Sequence, residues 1–263
     1  MPDRADVDGQ QPLHSGTNRD STRHAIARHR APARRIRASH DLPTARSPTG
    51  YRDHVTSTPK EIVRRGYDAV SYSYRGDEDR AAGERGAWIA RIVLTVDSGA
   101  HVLDLGCGCG VPVSRDLVAA GRHVTGVDIS DVQIARARRL VPGRTFIRAD
   151  AGEVDFPSAT FDAVICLYML IHLPLDEQPP LLAKVASWLQ PSGLFVVTAG
   201  HRAWTGTAAN WLGSGAAMWW SHADAATYRR WLSAAGFTVE DEEYVPEGDG
   251  GHSLFWCRRG SRP

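Results

Sequence analysis

Three glycines at alternate positions, Gly106, Gly108 and Gly110, follow the apolar run His101-Val-Leu-Asp-Leu105. A glycine turn at the end of a strand lets a ligand approach the main chain, because no Cβ stands in the way. The next apolar run ends at Asp128, 22 residues beyond Gly106, and that separation sets an acid against ribose hydroxyls in doubly wound nucleotide folds. Asp104 lies in the strand just before the glycines. A carboxylate there suits a nucleoside ligand that carries an ammonium group and no phosphates. A dinucleotide turn reads Gly-x-Gly-x-x-Gly and rests a pyrophosphate on a helix N-terminus. A glycine turn that binds nothing is the plain alternative, against which Asp128 weighs.

A second group of chemically capable residues lies later in the chain. Trp204, Trp211, Trp219 and Trp220 are interspersed with glycines and small residues over 200–222. This composition suits a mobile aromatic lid over a substrate, and packing of the insertion onto a sheet is the plainer reading for any one tryptophan. His172 and His201 each follow an apolar run, where an imidazole can act as general base or substrate anchor, or merely cap a strand end. Cys107 and Cys109 have no partner pair at ligand spacing, so no metal is expected.

These residues need elements to position them. From His101 onward, short apolar runs at 101–105, 123–127, 144–148, 161–166 and 193–198 alternate with helix-period segments at 111–120, 131–139, 177–189 and 224–235. Two β-like stretches, 237–244 and 252–258, predict a closing antiparallel hairpin. The fold class is therefore α/β and Rossmann-like, a mostly parallel seven-stranded sheet with helices on both faces and an antiparallel C-terminal hairpin. Two helices precede it within 55–98, the first opened by Thr58-Pro-Lys-Glu61, a capping-box pattern with proline at the first helical position.

Composition limits the partners. The 263 residues carry a net charge of +1 and are 42% apolar, so no global basic field favours nucleic acid and no apolar run approaches the roughly 20 residues of a membrane span. Residues 1–54 hold ten Arg against six Asp, with no sustained apolar periodicity. They are expected to be a disordered tail, either a plain solvated extension, a weak polyanion contact or an Arg-rich transit peptide, and Val55 is a possible alternative start. Four cysteines and no apolar leader lead to the expectation of a soluble, cytoplasmic protein. The oligomeric state is not legible.

The turn Val102-Leu-Asp-Leu-Gly-Cys-Gly-Cys-Gly110 resembles that of the class I methyltransferases that use S-adenosylmethionine. The likeness continues in Val124-Thr-Gly-Val-Asp-Ile-Ser130, Gln133-Ile-Ala135, Asp150-Ala151, Phe161-Asp-Ala-Val164 and Leu189-Gln-Pro-Ser-Gly-Leu194. It implies that Asp104 and the Gly106–Gly108 backbone hold the methionine part, Asp128 the ribose, and Ile129 and Asp150 the adenine. It further implies cofactor contacts from Cys107, Gln133, Ala151, Leu167 and Tyr74, with Tyr67 and Tyr72 in the same aromatic segment and Tyr168 beside the tryptophans on the acceptor side. The implied reaction is methyl transfer to an O, N or C nucleophile of a small molecule. A non-catalytic binding module and a nicotinamide-dependent oxidoreductase are the alternatives.

Overall fold

The computed structural model describes residues 57–81, 83–248 and 250–260; the tail expectation lies outside the described residues. Two helices, α1 (Pro59–Tyr74) and α2 (Gly83–Thr95), precede β1 (His101–Leu105), α3 (Val113–Ala119), β2 (His123–Asp128), α4 (Asp131–Leu140), β3 (Thr145–Arg148) and β4 (Phe161–Cys166). Then come α5 (Gln178–Trp188), β5 (Leu189–Gly200), β6 (Trp204–Ala208), β7 (Met218–His222), α6 (Ala225–Ala234), β8 (Phe237–Glu247) and β9 (Gly250–Arg259). The main sheet runs β3-β2-β1-β4-β5-β9-β8, with only β9 antiparallel to its neighbours. Chain order reverses between β1 and β4, and the crevice beyond the strand ends at such a reversal is where open α/β sheets take ligands.

The apolar runs become strands because helices cover both of their faces. Leu103, Leu105, Val164 and Phe195 pack on Leu181 and Val185 of α5 and on Tyr228 and Leu232 of α6. Val102, Ala163, Ile165 and Val196 pack on Trp88 and Ile92 of α2 and Leu117 of α3. Strand β5 extends beyond the predicted 193–198 at both ends, because it pairs with β4 on one side and β9 on the other.

Residues 200–222 form a two-stranded antiparallel sheet, β6–β7. Gln178, fully buried, donates through Nε2 to the carbonyls of Ser221 and Leu173, tying this hairpin to α5. Helix α1 lies against it at Gly66, where a Cβ would stand 2.8 Å from the Ala217 carbonyl oxygen. Only a residue without a side chain permits that approach.

The C-terminal end of α1 is held by Arg136 of α4, only 2% exposed. Its guanidinium donates to the Ser71 hydroxyl at 2.8 Å and the Arg75 carbonyl at 2.6 Å, and pairs with Asp77 at 2.7 Å. Ser71 in turn donates to Gln133 Oε1 at 2.9 Å. Removing this buried guanidinium strands the Ser71 hydroxyl and the carbonyls it serves, at a cost of about 1–3 kcal/mol. Arg136→Ala is therefore expected to lower stability to chemical denaturation by an amount of that order and to expose the Tyr74–Gly76 segment to protease. Unchanged denaturation would show that α1 is held by its apolar face alone.

Candidate cofactor and acceptor site

The glycine turn sits where its geometry requires. Gly106, Gly108 and Gly110 all have positive φ, and a Cβ on Gly106 would stand 2.3 Å from Met169 Cβ, so a larger residue cannot occupy that position. The turn and the strand ends open onto a cavity lined by Asp104, Gly106, Cys107, Gly108, Asp128, Ile129, Gln133, Asp150, Ala151 and Leu167. Tyr74, Tyr168 and His172 also line it. Tyr67 reaches it from α1, whereas Tyr72 is 63% exposed and stacks under the Arg136 guanidinium, away from the cavity.

Its electrostatics are unusual. Asp104 accepts a 2.6 Å hydrogen bond from Ser114 Oγ, and burial pushes its pKa up to about 7. Asp128 accepts from the Gly108 and Ser130 amides, each at 2.9 Å, yet burial still raises it to about 6. Among the described residues neither has a Lys or Arg within salt-bridge distance. Two carboxyls kept from water without a counter-charge favour a cationic ligand. S-adenosylmethionine fits: its ammonium and sulfonium supply the missing charge, and its ribose matches the free lone pairs of Asp128. Asp150 is differently occupied, with Oδ1 accepting from the Gly152 amide at 2.8 Å and Oδ2 paired with Lys60 at 2.7 Å.

A second, more open cavity adjoins the first. Tyr67, Tyr74, Tyr168 and His172 line both. Trp204, Trp211 and Trp220 form much of the second wall, and His201 and Ile171 also face it. Trp219 is a correction to the sequence expectation: its ring lines neither cavity, because neighbouring residues of a strand point to opposite faces. Its carbonyl takes part instead, accepting from His172 Nδ1 at 2.8 Å.

A carbonyl only accepts, so His172 Nδ1 carries the proton and Nε2 accepts from the Tyr67 hydroxyl at 3.0 Å. Both nitrogens are engaged, and burial pushes the His172 pKa down to about 4. His172 is thus a neutral strut at the shared wall. Sequence reasoning missed His222, Tyr244, Glu247 and His252, which also line the second cavity. No sequence signal locates them, since Tyr244, Glu247 and His252 arrive through the register of β5 with β9 and β8, and His222 through that of β6 with β7. Among the described residues, no cluster of three or more His, Cys, Asp or Glu is arranged to hold a metal, and no helix is long and apolar enough to cross a membrane.

The sheet order and the glycine turn give this site the layout of the Rossmann-like methyltransferase fold. Residues 102–193 match the family model for a methyltransferase domain. The chain is 30% identical over 132 residues to a sterol 24-C-methyltransferase of Gibberella zeae, covering 48% of this chain and 34% of that one. It is 33% identical over 157 residues to the 27-O-demethylrifamycin SV methyltransferase of Amycolatopsis mediterranei, covering 52% of this chain and 57% of that one. The chain thus spans between about a third and three fifths of these curated relatives. An S-adenosylmethionine-dependent methyltransferase from Mesorhizobium loti superposes with a TM-score of 0.55 at 26% identity, covering 68% of this chain and 98% of that one.

A carboxyl whose pKa is raised on folding makes the folded state bind more protons than the unfolded chain, so stability falls as pH rises through the window between the two values. For Asp104 and Asp128 that window runs from the ordinary 3.8 to about 6–7. The ligand-free protein is expected to lose melting temperature across it, and affinity for S-adenosylmethionine to rise over the same range. Asp104→Asn is expected to flatten both curves. A parent protein with no such slope in calorimetry would show that the carboxyls are better solvated than their burial implies.

Proposed function

We propose that the chain transfers a methyl group from S-adenosylmethionine to a small-molecule acceptor. The observation that carries this reading is the shared wall: an acidic, glycine-lined cavity and an aromatic cavity meet at Tyr67, Tyr74, Tyr168 and His172. When bound, the cofactor supplies a methyl group already activated on sulfur. The protein then has to align donor and acceptor and exclude water, a contribution of about 7–11 kcal/mol in well-oriented systems. Asp104 and the glycine-turn backbone would hold the methionine end, Asp128 the ribose, and Ile129, Ala151 and Leu167 the adenine side. Trp204, Trp211, Trp220 and Tyr168 would hold the acceptor. The same pair of carboxyls, held without a counter-charge, disfavours a nicotinamide dinucleotide, whose pyrophosphate would add negative charge where no cation offsets it.

Titration calorimetry is expected to show S-adenosylmethionine binding and no NAD binding, with Asp128→Ala weakening the former by roughly 1.5–3 kcal/mol as charge-assisted hydrogen bonds are lost. Incubation with a metabolite extract should yield S-adenosylhomocysteine and a product heavier by CH2. Binding without any such product would make the chain a non-catalytic module.

The acceptor wall is tested separately. Trp220→Ala is expected to raise KM or lower kcat while leaving cofactor affinity within about twofold, because its ring lines only the second cavity. Full turnover in this variant would place the acceptor elsewhere.

A further inference from the structure

Four histidines line the second cavity: His172, His201, His222 and His252. His172 has no free nitrogen. Nδ1 of His222 and of His252 is sealed from solvent with no partner, and Nε2 of His252 is paired with Glu247 at 3.1 Å. His201 differs. Its Nδ1 lies 3.1 Å from Ser253 Oγ, and Ser253 donates its single proton to Glu242 Oε1 at 3.1 Å. Ser253 can therefore only accept from His201, which makes Nδ1 the protonated nitrogen and leaves the Nε2 lone pair free. Glu242 is itself fixed by Arg229, which forks onto its two oxygens at 2.6 and 3.0 Å.

This relay crosses four elements, from the end of β5 through β9 to β8 and α6, and Ser253 is buried within it. The same polar groups could have faced solvent, so their alignment onto one ring nitrogen points to orientation. Other groups around the ring are Tyr244 of β8, whose ring lies 4.7 Å from it, Arg202 next to it in the chain, and His222, His252 and Glu247 on the wall of the same cavity.

Building on the methyl-transfer reading, we propose that His201 Nε2 is the general base for the acceptor, with Ser253 and Glu242 as positioning residues, and that the acceptor is a flat aromatic molecule bearing an acidic hydroxyl. The ring is specified by the Trp204, Trp211 and Trp220 wall. The hydroxyl is specified by the base, since an amine attacks with a lone pair it already has. In the step, the hydroxyl proton passes to His201 Nε2 and the oxygen forms its bond to the methyl carbon. The carbon–sulfur bond breaks with its electron pair kept by sulfur, and the imidazolium returns its proton to solvent.

The test uses 4-nitrophenol, whose anion is coloured, bound to the full chain loaded with S-adenosylhomocysteine. The dye should stay ionised to a pH about one unit lower than in free solution. His201→Gln should abolish that displacement, and Ser253→Ala and Glu242→Gln should each shrink it while cofactor affinity by calorimetry is unchanged. Nitrogen NMR of His201 should show Nδ1–H in the parent and a mixed tautomer in Ser253→Ala. A dye that does not bind, or that ionises alike in all four proteins, overturns the proposal. Failure of cofactor binding in the parent would instead overturn the methyl-transfer reading on which it rests.

Discussion

Holding the buried Asp104 and the half-buried Asp128 together without a cation is the constraint on which the rest of the site depends. An ionised carboxylate removed from water costs several kcal/mol unless hydrogen bonds or opposite charge offset it. The chain offsets part of this with the Ser114 hydroxyl and the amides of Gly108 and Ser130. Those amides point at the Asp128 carboxylate only because the backbone turns sharply after β1 and because α4 starts directly after β2. The glycine turn, the strand order and the start of α4 thus serve one electrostatic arrangement, completed by a positively charged ligand.

Helix α1 covers that arrangement and is held by polar contacts as well as by its apolar face. Lys60 pairs with Asp150 and Glu177, Asp68 accepts from Ser130 Oγ at 2.5 Å, and Arg136 gathers Ser71, Arg75 and Asp77. Two of these anchors, Asp150 and Ser130, belong to the cavity or to the residue that steadies Asp128. Displacing α1 therefore disturbs the cofactor cavity and also withdraws Tyr67 and Tyr74 from the wall shared with the second one. A ligand amino group at Asp150 would meet a carboxylate already engaged on both oxygens, so it shares lone pairs with Lys60 and Gly152.

Much of the cofactor end was legible because it is local. The glycines, Asp104 and Asp128 lie on one strand–turn–helix–strand unit, and short-range sterics place them without help from distant chain. The parallel strands were legible from continuous apolar runs, and their ends moved by a few residues where pairing partners decided the length. The acceptor side was less so. Trp219 could not be told from Trp220 without knowing which face of β7 turns inward. Tyr244, Glu247 and His252 could not be found, because hairpin register has no local signature in 237–258, and His222 depends in the same way on the β6–β7 register. The Ser253–Glu242 relay likewise exists only once β9 is inserted between β5 and β8.

The junction of the two cavities shows how these long-range contacts matter chemically. Tyr168 adopts φ +61, a conformation that costs a bulky residue of order 1–3 kcal/mol and persists where surroundings enforce it. Its ring is held edge-on to His252 at 5.4 Å and under the Arg85 guanidinium at 5.6 Å, which keeps it in the wall that both cavities share. Beside it, His172 joins Tyr67 of α1 to the Trp219 carbonyl of the hairpin, so cover, loop and insertion form one hydrogen-bonded frame. That frame is held by a neutral imidazole, since burial pushes its pKa down to about 4. An imidazolium at the same place would repel a sulfonium across a poorly screened gap. A neutral strut can define the boundary between donor and acceptor without opposing the positive charge that Asp104 and Asp128 attract.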